Sequence, residues 1–461
     1  MNCNLKSITG KKILILGLGI TGKALALRFK ELGAMVRVSD SGYIHTSVRQ
    51  TLIEAGIDIE TEGHTPNFCL SVDIAFISPG ISDQTLMASQ LKEAKIPCFD
   101  ELDWVGANFE GKIIAVTGSV GKSTTVTWIY QLLQQAQIPS VLCGNIGVAA
   151  CSTWQNWHKD LWMVLEVSSF QAERLKILMP DIAILTNFYP NHLDRHSQLE
   201  AYKQAKLNLF RQLKPSGTAI VHEREQYFLN GLSDSIQKVY CAVKEITNAN
   251  FFIRDGKVFS REQLIFDIHA FQALGLGEHN LENFLEVLAV AHVLGIKQQV
   301  VLDCILGLQN LPHRLEWVAE IAGRNFYNDS KSTSAAAVTA AIKKFQAPIV
   351  LILGGQNKKG NFSILIKDLK EKVSQLILMG QARYEIRDQI ADQYAFIHLA
   401  SNLREAIWAA LRISKMGDVI LLSPGCASFD EFSGYQERGK AFIQEVLDLQ
   451  AKNIKGELVL V

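Results

Sequence analysis

The run Lys112 to Val116 is short and apolar. It stops at Thr117-Gly118-Ser119-Val120-Gly121-Lys122-Ser123-Thr124-Thr125, and a helical stretch follows. A strand that turns into a helix through two glycines is half of a strand–helix–strand unit, and such units assemble as parallel sheets covered by helices. The same order recurs at Ile13 to Leu16, Ile74 to Ile77, Ile182 to Thr186, Ile349 to Leu353, Gln375 to Met379 and Val419 to Leu422. The chain therefore reads as an α/β protein, and 461 residues at about 150 per domain give roughly three domains. We read residues 1–106 as an N-terminal Rossmann-like domain and 107–311 as a central P-loop mononucleotide-binding parallel sheet. Residues 312–461 read as a C-terminal Rossmann-like domain.

In the loop after Lys112 to Val116, Gly118 and Gly121 free the backbone to wrap a phosphate, with Ser119 and Val120 between them. Lys122, Ser123 and Thr124 then open a helix, where the ammonium and the helix dipole of about half a charge favour a polyphosphate. The Ser123 hydroxyl is in place to reach a Mg²⁺ ion. The usual phosphate loop carries an earlier glycine where this chain has Val116, so the loop is a shorter G-x-x-G-K-S-T form.

A second glycine turn, Gly17-Leu18-Gly19-Ile20-Thr21-Gly22, follows Ile13 to Leu16 and precedes a helical stretch from Lys23 to Glu31. Its missing side chains let backbone N–H groups approach a diphosphate, and the strand Met35 to Val38 ends near Asp40, where an acidic residue meets a ribose hydroxyl. A ligand-free tight turn and a nicotinamide dehydrogenase fit this segment as well. The loop Ser78-Pro79-Gly80-Ile81-Ser82 also sits beyond a strand's C-terminal end, either as a ligand loop or as a plain turn.

Composition narrows the partners. Lys plus Arg and Asp plus Glu both number 46, so no excess charge draws the chain to nucleic acid or an anionic membrane. No apolar stretch reaches the roughly 18 to 20 residues of a membrane span, and Leu281 to Ile296 is interrupted by Glu282, Asn283, Glu286 and His292. The first apolar run leads into a glycine turn rather than a cleavage site, so a cytoplasmic, monomeric enzyme of small molecules is expected. The eight cysteines show no Cys-x-x-Cys spacing and read as reduced, mostly buried thiols.

Twelve segments in one order carry a resemblance: GLGITG, SPGIS, TGSVGKSTT, GNIG (Gly144 to Gly147), EVSSFQ (Glu166 to Gln171), TNFYPNHLDRH (Thr186 to His196), AYKQAK (Ala201 to Lys206), GEHNLEN (Gly277 to Asn283), HRLE (His313 to Glu316), NDSKST (Asn328 to Thr333), GGQNKKGNF (Gly354 to Phe362) and LLSPGCASFDEF (Leu421 to Phe432). The chain resembles the Mur ligase family, enzymes that join a carboxylate to an amine at the expense of ATP. The resemblance implies UDP-N-acetylmuramoyl-L-alanine and D-glutamate as substrates, ATP and Mg²⁺ as cofactors, and a place in peptidoglycan precursor synthesis.

Such a reaction brings an anionic γ-phosphate to an anionic carboxylate, so cations must offset their repulsion. Glu166 ends the strand Leu161 to Val167 and is placed as a Mg²⁺ ligand, or as a half-buried cap of the next helix. His192 and Asp194 follow the strand Ile182 to Thr186, and His192 is read as a metal contact. By pattern alone Lys206, on the helix Leu199 to Leu213, is a surface lysine. By resemblance, Lys206 is the lysine carried as a carbamate, an oxygen ligand for a second Mg²⁺.

Asn280 and Asn283 share a helical face, where amides recognise a purine or simply cap and pack. The resemblance assigns both to ATP, with Arg314 and Asp329; interdomain ion pairing is the alternative for the latter two. It assigns D-glutamate to Lys331, Thr333, Lys358, Ser428, Phe429 and Tyr435. The UDP-linked substrate falls to Gly19, Ile20, Thr21, Asp40, Ser41, Ser78, Gly80 and Asn145. Three positions depart from the family: Tyr435 stands where Phe is frequent, Ser41-Gly42 where Thr-Arg can follow the acid, and Val120 where Asn is common.

Four rivals are weaker. A Mur ligase for another amino acid is disfavoured by the LLSPGCASFDEF segment, and a folylpolyglutamate synthase has no use for the N-terminal nucleotide-type domain. A dehydrogenase leaves Lys122 and Ser123 unemployed, and a nucleotide-switched binding protein has no amino-acid acceptor.

Overall fold

The computed structural model describes residues 4–189, 195–196, 198–260, 263–268, 280–308, 312–357 and 360–456. They form two compact units, Met1–Leu308 and Gln309–Val461.

The first unit holds two sheets. One consists of β1 (Lys12–Leu16), β2 (Met35–Ser39), β3 (Asp58–Glu60), β4 (Ile74–Ile77) and β5 (Cys98–Phe99), parallel throughout in the order β3-β2-β1-β4-β5. Ile13 to Leu16 are all buried, as befits a central strand with helices on both faces. The chain crosses to the other side of β1 between β3 and β4. The glycine turn after β1 and the Ser78–Ser82 loop after β4 therefore flank the switch point, where open α/β sheets bind ligands.

The second sheet comprises β6 (Lys112–Thr117), β7 (Ser140–Gly144), β8 (Trp162–Glu166), β9 (Ile182–Leu185), β10 (Thr218–His222), β11 (Gln237–Ala242), β12 (Phe251–Arg254), β13 (Lys257–Ser260) and β14 (Gln263–Asp267). Its order is β14-β13-β12-β11-β10-β9-β6-β8-β7. The expected parallel arrangement extends from β7 to β12, whereas β13 and β14 add an antiparallel edge. The cause is local: Asp255 and Gly256 take φ of 50° and 69°, a two-residue turn that joins only antiparallel neighbours. With β9 on one side of β6 and β8 on the other, the loops after all three strands converge at one edge.

Both sheets contribute to one apolar core, in which Ile13, Phe29, Phe76 and Trp104 cluster with Ile113, Leu165 and Leu178. The connecting helix Glu101–Asn108 lies close enough that a Cβ on Gly106 would stand 2.4 Å from the Leu178 Cα.

The second unit is a single sheet of β15 (Glu316–Ile321), β16 (Arg324–Asn328), β17 (Ile349–Gly354), β18 (Val373–Met379), β19 (Ile397–Leu399) and β20 (Val419–Gly425), ordered β15-β16-β20-β17-β18-β19. Only β15 and β16 pair antiparallel. Strand alternation splits its core into two layers: Leu351, Leu353 and Leu421 face one side, and Val350, Ile352 and Ile420 the other.

No helix among the described residues is long and apolar enough to cross a membrane. Seven described cysteines are free thiols, all buried except the half-buried Cys98.

Candidate active site

The phosphate loop is shaped by close approaches. Gly118 and Gly121 adopt φ of 149° and 91°; a Cβ would stand 1.9 Å from the Thr186 Oγ1 at the first and 2.3 Å from the Asn283 Oδ1 at the second. Only glycine fits either position. The helix Lys122–Gln135 begins at once, so its first N–H groups face the loop. Lys122 folds back, its Nζ donating to the carbonyls of Gly118 (2.8 Å) and Ser119 (3.3 Å).

Around this loop the sheet edge assembles polar side chains. The Ser123 hydroxyl donates to one Glu166 oxygen at 2.5 Å, and the Asn145 amide to the other at 2.8 Å. Glu166 is buried and does not cap the following helix, because Ser168 and Gln171 form that capping box. Asn145, read from sequence as a UDP-substrate residue, is thus placed at Glu166.

Lys206 corrects its pattern-based reading as a surface side chain. The helix Leu199–Arg211 buries Tyr202, Ala205, Lys206, Leu209 and Phe210 on one face, and Lys206 is 1% exposed. Its Nζ donates to the Gly118 carbonyl at 2.8 Å and lies 4.5 Å from the Tyr202 ring centre. Burial, reinforced by the Lys122 ammonium, holds its pKa well below the ordinary lysine value. The 3.6-residue period could have flagged it, since a lysine on the apolar stripe is out of place on a solvated face.

Two residues within TNFYPNHLDRH had no individual role in the sequence reading. The Asn187 side chain accepts from the Val120 N–H (2.9 Å) and donates to the Val120 carbonyl (3.0 Å), which also accepts the Thr186 hydroxyl at 2.5 Å. They brace the exposed loop tip, and their position just past β9, beside β6, was the available signal. Ser119 bonds the Tyr189 carbonyl and the Tyr202 hydroxyl. Thr124 is buried nearby. Asn280 and Asn283 are both buried, with the Asn283 amide donating to Asn280 at 2.9 Å, and Asn283 packs on Gly121. His192, Asp194 and Lys358 lie outside the described residues.

At the first sheet's switch point the Ser78 hydroxyl donates to the Gly17 carbonyl at 2.7 Å, joining the two loops. Gly22 is forced, because a Cβ would stand 2.1 Å from the Gly17 oxygen. The helix starts at Ile20, earlier than its apolar pattern, with Gly19 at its N-cap and Ile20 exposed. Asp40 accepts the backbone N–H groups of Leu18 (2.5 Å) and Gly42 (2.8 Å), so it shapes the turn as well as facing it; Ser41 is exposed. Open space surrounds Gly80.

Nearby, Glu60, His64 and Cys69 cluster at the sheet edge. Glu60 already accepts the Ser39 hydroxyl and both the N–H and hydroxyl of Thr65, while Ser39 lies 2.7 Å from His64 Nδ1. Burial pushes the Cys69 thiol up to about 11. The cluster is a satisfied polar tether between β2 and the segment after β3.

In the second unit Asp329 is buried and accepts the hydroxyls of Ser332 (2.6 Å) and Ser423 (2.8 Å). Burial pushes its carboxyl up to about 6, against the opposing pull of those hydroxyls and of Arg314. Lys331 donates to the Tyr435 hydroxyl at 3.0 Å, with its Nζ 4.7 Å from the ring centre. Ser428 is buried, whereas Thr333 and Phe429 are exposed. Arg438, unnoticed in the sequence, is 1% exposed and holds the carbonyls of Ser330, Cys426 and Ala427.

The chain has counterparts among known proteins. Residues 11–100 match the Mur ligase MurD-like N-terminal domain, 116–291 the Mur ligase middle domain, and 313–426 the Mur ligase glutamate ligase domain. A UDP-N-acetylmuramoylalanine–D-glutamate ligase of Geobacillus kaustophilus is 33% identical, over 95% of this chain and 98% of its own length. The chain belongs to the Mur ligase family. The enzyme of the same name from Bacillus velezensis is 32% identical over 95% of this chain and 97% of its own. Among solved structures, the Mur ligases share the fold at low identity. The UDP-N-acetylmuramate-alanine ligase MurC of Thermotoga maritima superposes with a TM-score of 0.60 at 18% identity, covering 95% of this chain and 99% of its own. The MurF ligase of Thermotoga maritima, solved with ADP, gives 0.58 at 17% identity, covering 99% and 97%.

Proposed function

We propose that this Mur ligase joins the amine of D-glutamate to the alanine carboxylate of UDP-N-acetylmuramoyl-L-alanine, using ATP, as a cytoplasmic monomer in peptidoglycan precursor synthesis. The observation that carries the chemistry is the convergence of Lys122, Ser123, Glu166 and Lys206 on the Gly118–Gly121 loop.

A carboxylate is a poor electrophile with no leaving group. Its oxygen attacks the γ-phosphorus of ATP, the bond to ADP breaks, and an acyl phosphate forms. The amine of D-glutamate then attacks the acyl carbon, loses a proton, and phosphate leaves from the tetrahedral intermediate.

The amides of Gly121 to Thr124, at the start of the helix, receive the polyphosphate, and Lys122 exchanges its carbonyl contacts for phosphate oxygens. The Ser123 and Glu166 oxygens, held 2.5 Å apart, suit a hard divalent cation. Mg²⁺ bound there would offset the charge of phosphate and carboxylate. Burial beside Lys122 lowers the Lys206 pKa, which shifts it toward the neutral amine that adds carbon dioxide to become a carbamate, a further oxygen donor. His192 completes the assigned metal contacts.

Residues 1–106 take the UDP-linked substrate through Gly19, Ile20, Thr21, Asp40, Ser41, Ser78 and Gly80, with Asn145 from residues 107–311. ATP falls to the loop, Asn280, Asn283, Arg314 and Asp329. The C-terminal residues 312–461 supply Lys331, Thr333, Lys358, Ser428, Phe429 and Tyr435 for D-glutamate, cations and hydroxyls matching a dicarboxylate.

The test is phosphate release from ATP, Mg²⁺ and UDP-N-acetylmuramoyl-L-alanine across a panel of D- and L-amino acids. Release should require D-glutamate; release independent of it, or greater with another amino acid, overturns the assignment.

A further inference from the structure

Arg174 belongs to no motif used above, yet it ties the two sheets of the first unit together. It ends the helix Ser169–Arg174, whose capping box at Ser168 and Gln171 begins two residues after Glu166. Val167 between them still donates to the β6 carbonyl of Val116 at 2.9 Å, so the helix has a rigid origin. Its side chain is 8% exposed. Nη1 donates to the carbonyls of Ile77 (3.4 Å) and Ser78 (3.3 Å), while Nη2 donates to Ile81 (2.5 Å) and pairs with Asp83. Arg195 adds a second donor to the Ile81 carbonyl at 2.8 Å.

The loop so gripped has few backbone bonds of its own. Residues 78 to 85 carry two internal backbone bonds, from Ile81 to Ser78 and from Thr85 to Ser82. The same loop contacts the glycine turn, where a Cβ on Gly17 would stand 2.8 Å from the Ile81 Cδ1 and 2.9 Å from the Ser78 Cβ. A continuous path therefore runs from the Gly17 turn through Ser78 to Arg174, and along one short helix to Glu166.

We propose that Arg174 is a positioning residue that sets the Ser78–Asp83 loop at a fixed distance from Glu166, so that one UDP-linked substrate meets both ends of its site in register. The inference rests on the proposed function, since a single molecule must bind at the switch point of the first sheet and present its carboxylate at the second. Arginine suits the task because its planar fork reaches several carbonyls at once, which a lysine ammonium on the same stem does not.

The experiment compares Arg174→Ala and Arg174→Lys with the wild-type enzyme. It measures KM for each of the three substrates, thermal midpoint, and hydrogen exchange of the peptide spanning residues 77–83. The expected result is a rise of about tenfold in KM for the UDP-linked substrate in Arg174→Ala, with KM for ATP and D-glutamate within about twofold. Exchange at 77–83 should speed up while the 117–125 loop is unchanged, and methylguanidinium added to Arg174→Ala should restore both readouts. A wild-type KM for the UDP-linked substrate, or a parallel rise in all three constants with a lowered thermal midpoint, overturns the proposal. Should the alanine variant fail to fold, the lysine variant carries the same comparison. Exchange without ligand reads the clamp alone, so its failure stays distinct from failure of the substrate assignment.

Discussion

Replacing Asn187 with alanine removes two of the three side-chain bonds that brace the tip of the phosphate loop, at 2.9 Å to the Val120 N–H and 3.0 Å to its carbonyl. The carbonyl keeps the Thr186 hydroxyl, so the loss falls on the N–H. An orphaned donor costs about 1–3 kcal/mol when buried, and Val120 is 48% exposed, which lets water recover part of it. We expect about 1 kcal/mol against the braced loop, hence a rise of about fivefold in KM for ATP. Asn187→Asp separates bracing from charge. It keeps an acceptor for the N–H but sets a carboxylate against the Val120 carbonyl and near the phosphates. Like charges about 4–8 Å apart at an effective dielectric of about 20 repel by about 2–4 kcal/mol, so KM should rise at least about thirtyfold. Initial rates of ADP formation at saturating UDP-linked substrate and D-glutamate give both constants. An aspartate variant no worse than the alanine variant would refute the placement of Asn187 beside the bound nucleotide.

Further predictions concern the buried groups. Lys122→Ala should lower kcat by about a thousandfold with a near-normal thermal midpoint, and near-normal turnover removes the phosphate-loop argument. Lys206→Arg should be inactive, because a guanidinium cannot become a carbamate; full turnover dismisses the modification. Glu286 is buried beneath the phosphate-loop helix, accepts the Thr125 hydroxyl at 3.2 Å, and is pushed by burial from 4.5 up to about 8. Its contribution to stability is therefore complete below pH 4.5 and lost as the pH rises to about 8. In Glu286→Gln, denaturant unfolding should gain on wild type by up to about 1.4 kcal/mol per pH unit across that window, and parallel curves would show that Glu286 ionises normally.

The strands and the phosphate loop were legible because their signals are local. An apolar run of four to six residues ending at a forced glycine names a buried parallel strand and its loop without reference to anything distant. Lys206 and Arg174 were not legible in that way. Their meaning comes from carbonyls far away in the chain, Gly118 for one and Ile77 to Ile81 for the other; the apolar period marks Lys206 as out of place on a solvated face but names no partner. Resemblance assigns Asn145 to the UDP-linked substrate, and only the fold shows that its amide also reaches Glu166, because β7 and β8 lie side by side and end at the same edge.

By itself, the sequence determined the α/β class, the position of the phosphate loop after Lys112 to Val116, and the set of chemical groups available to an amide ligase. Backbone conformation and apolar period act over a few residues, and a single chain displays them directly. The tertiary structure decided which groups meet: the pairing of Ser123 with Glu166, the bracing of Val120 by Thr186 and Asn187, and the burial of Lys206 against Gly118. Those contacts depend on strand order, with β9 and β8 on either side of β6, and strand order is fixed by how helices and sheets pack over the whole unit rather than by any one segment.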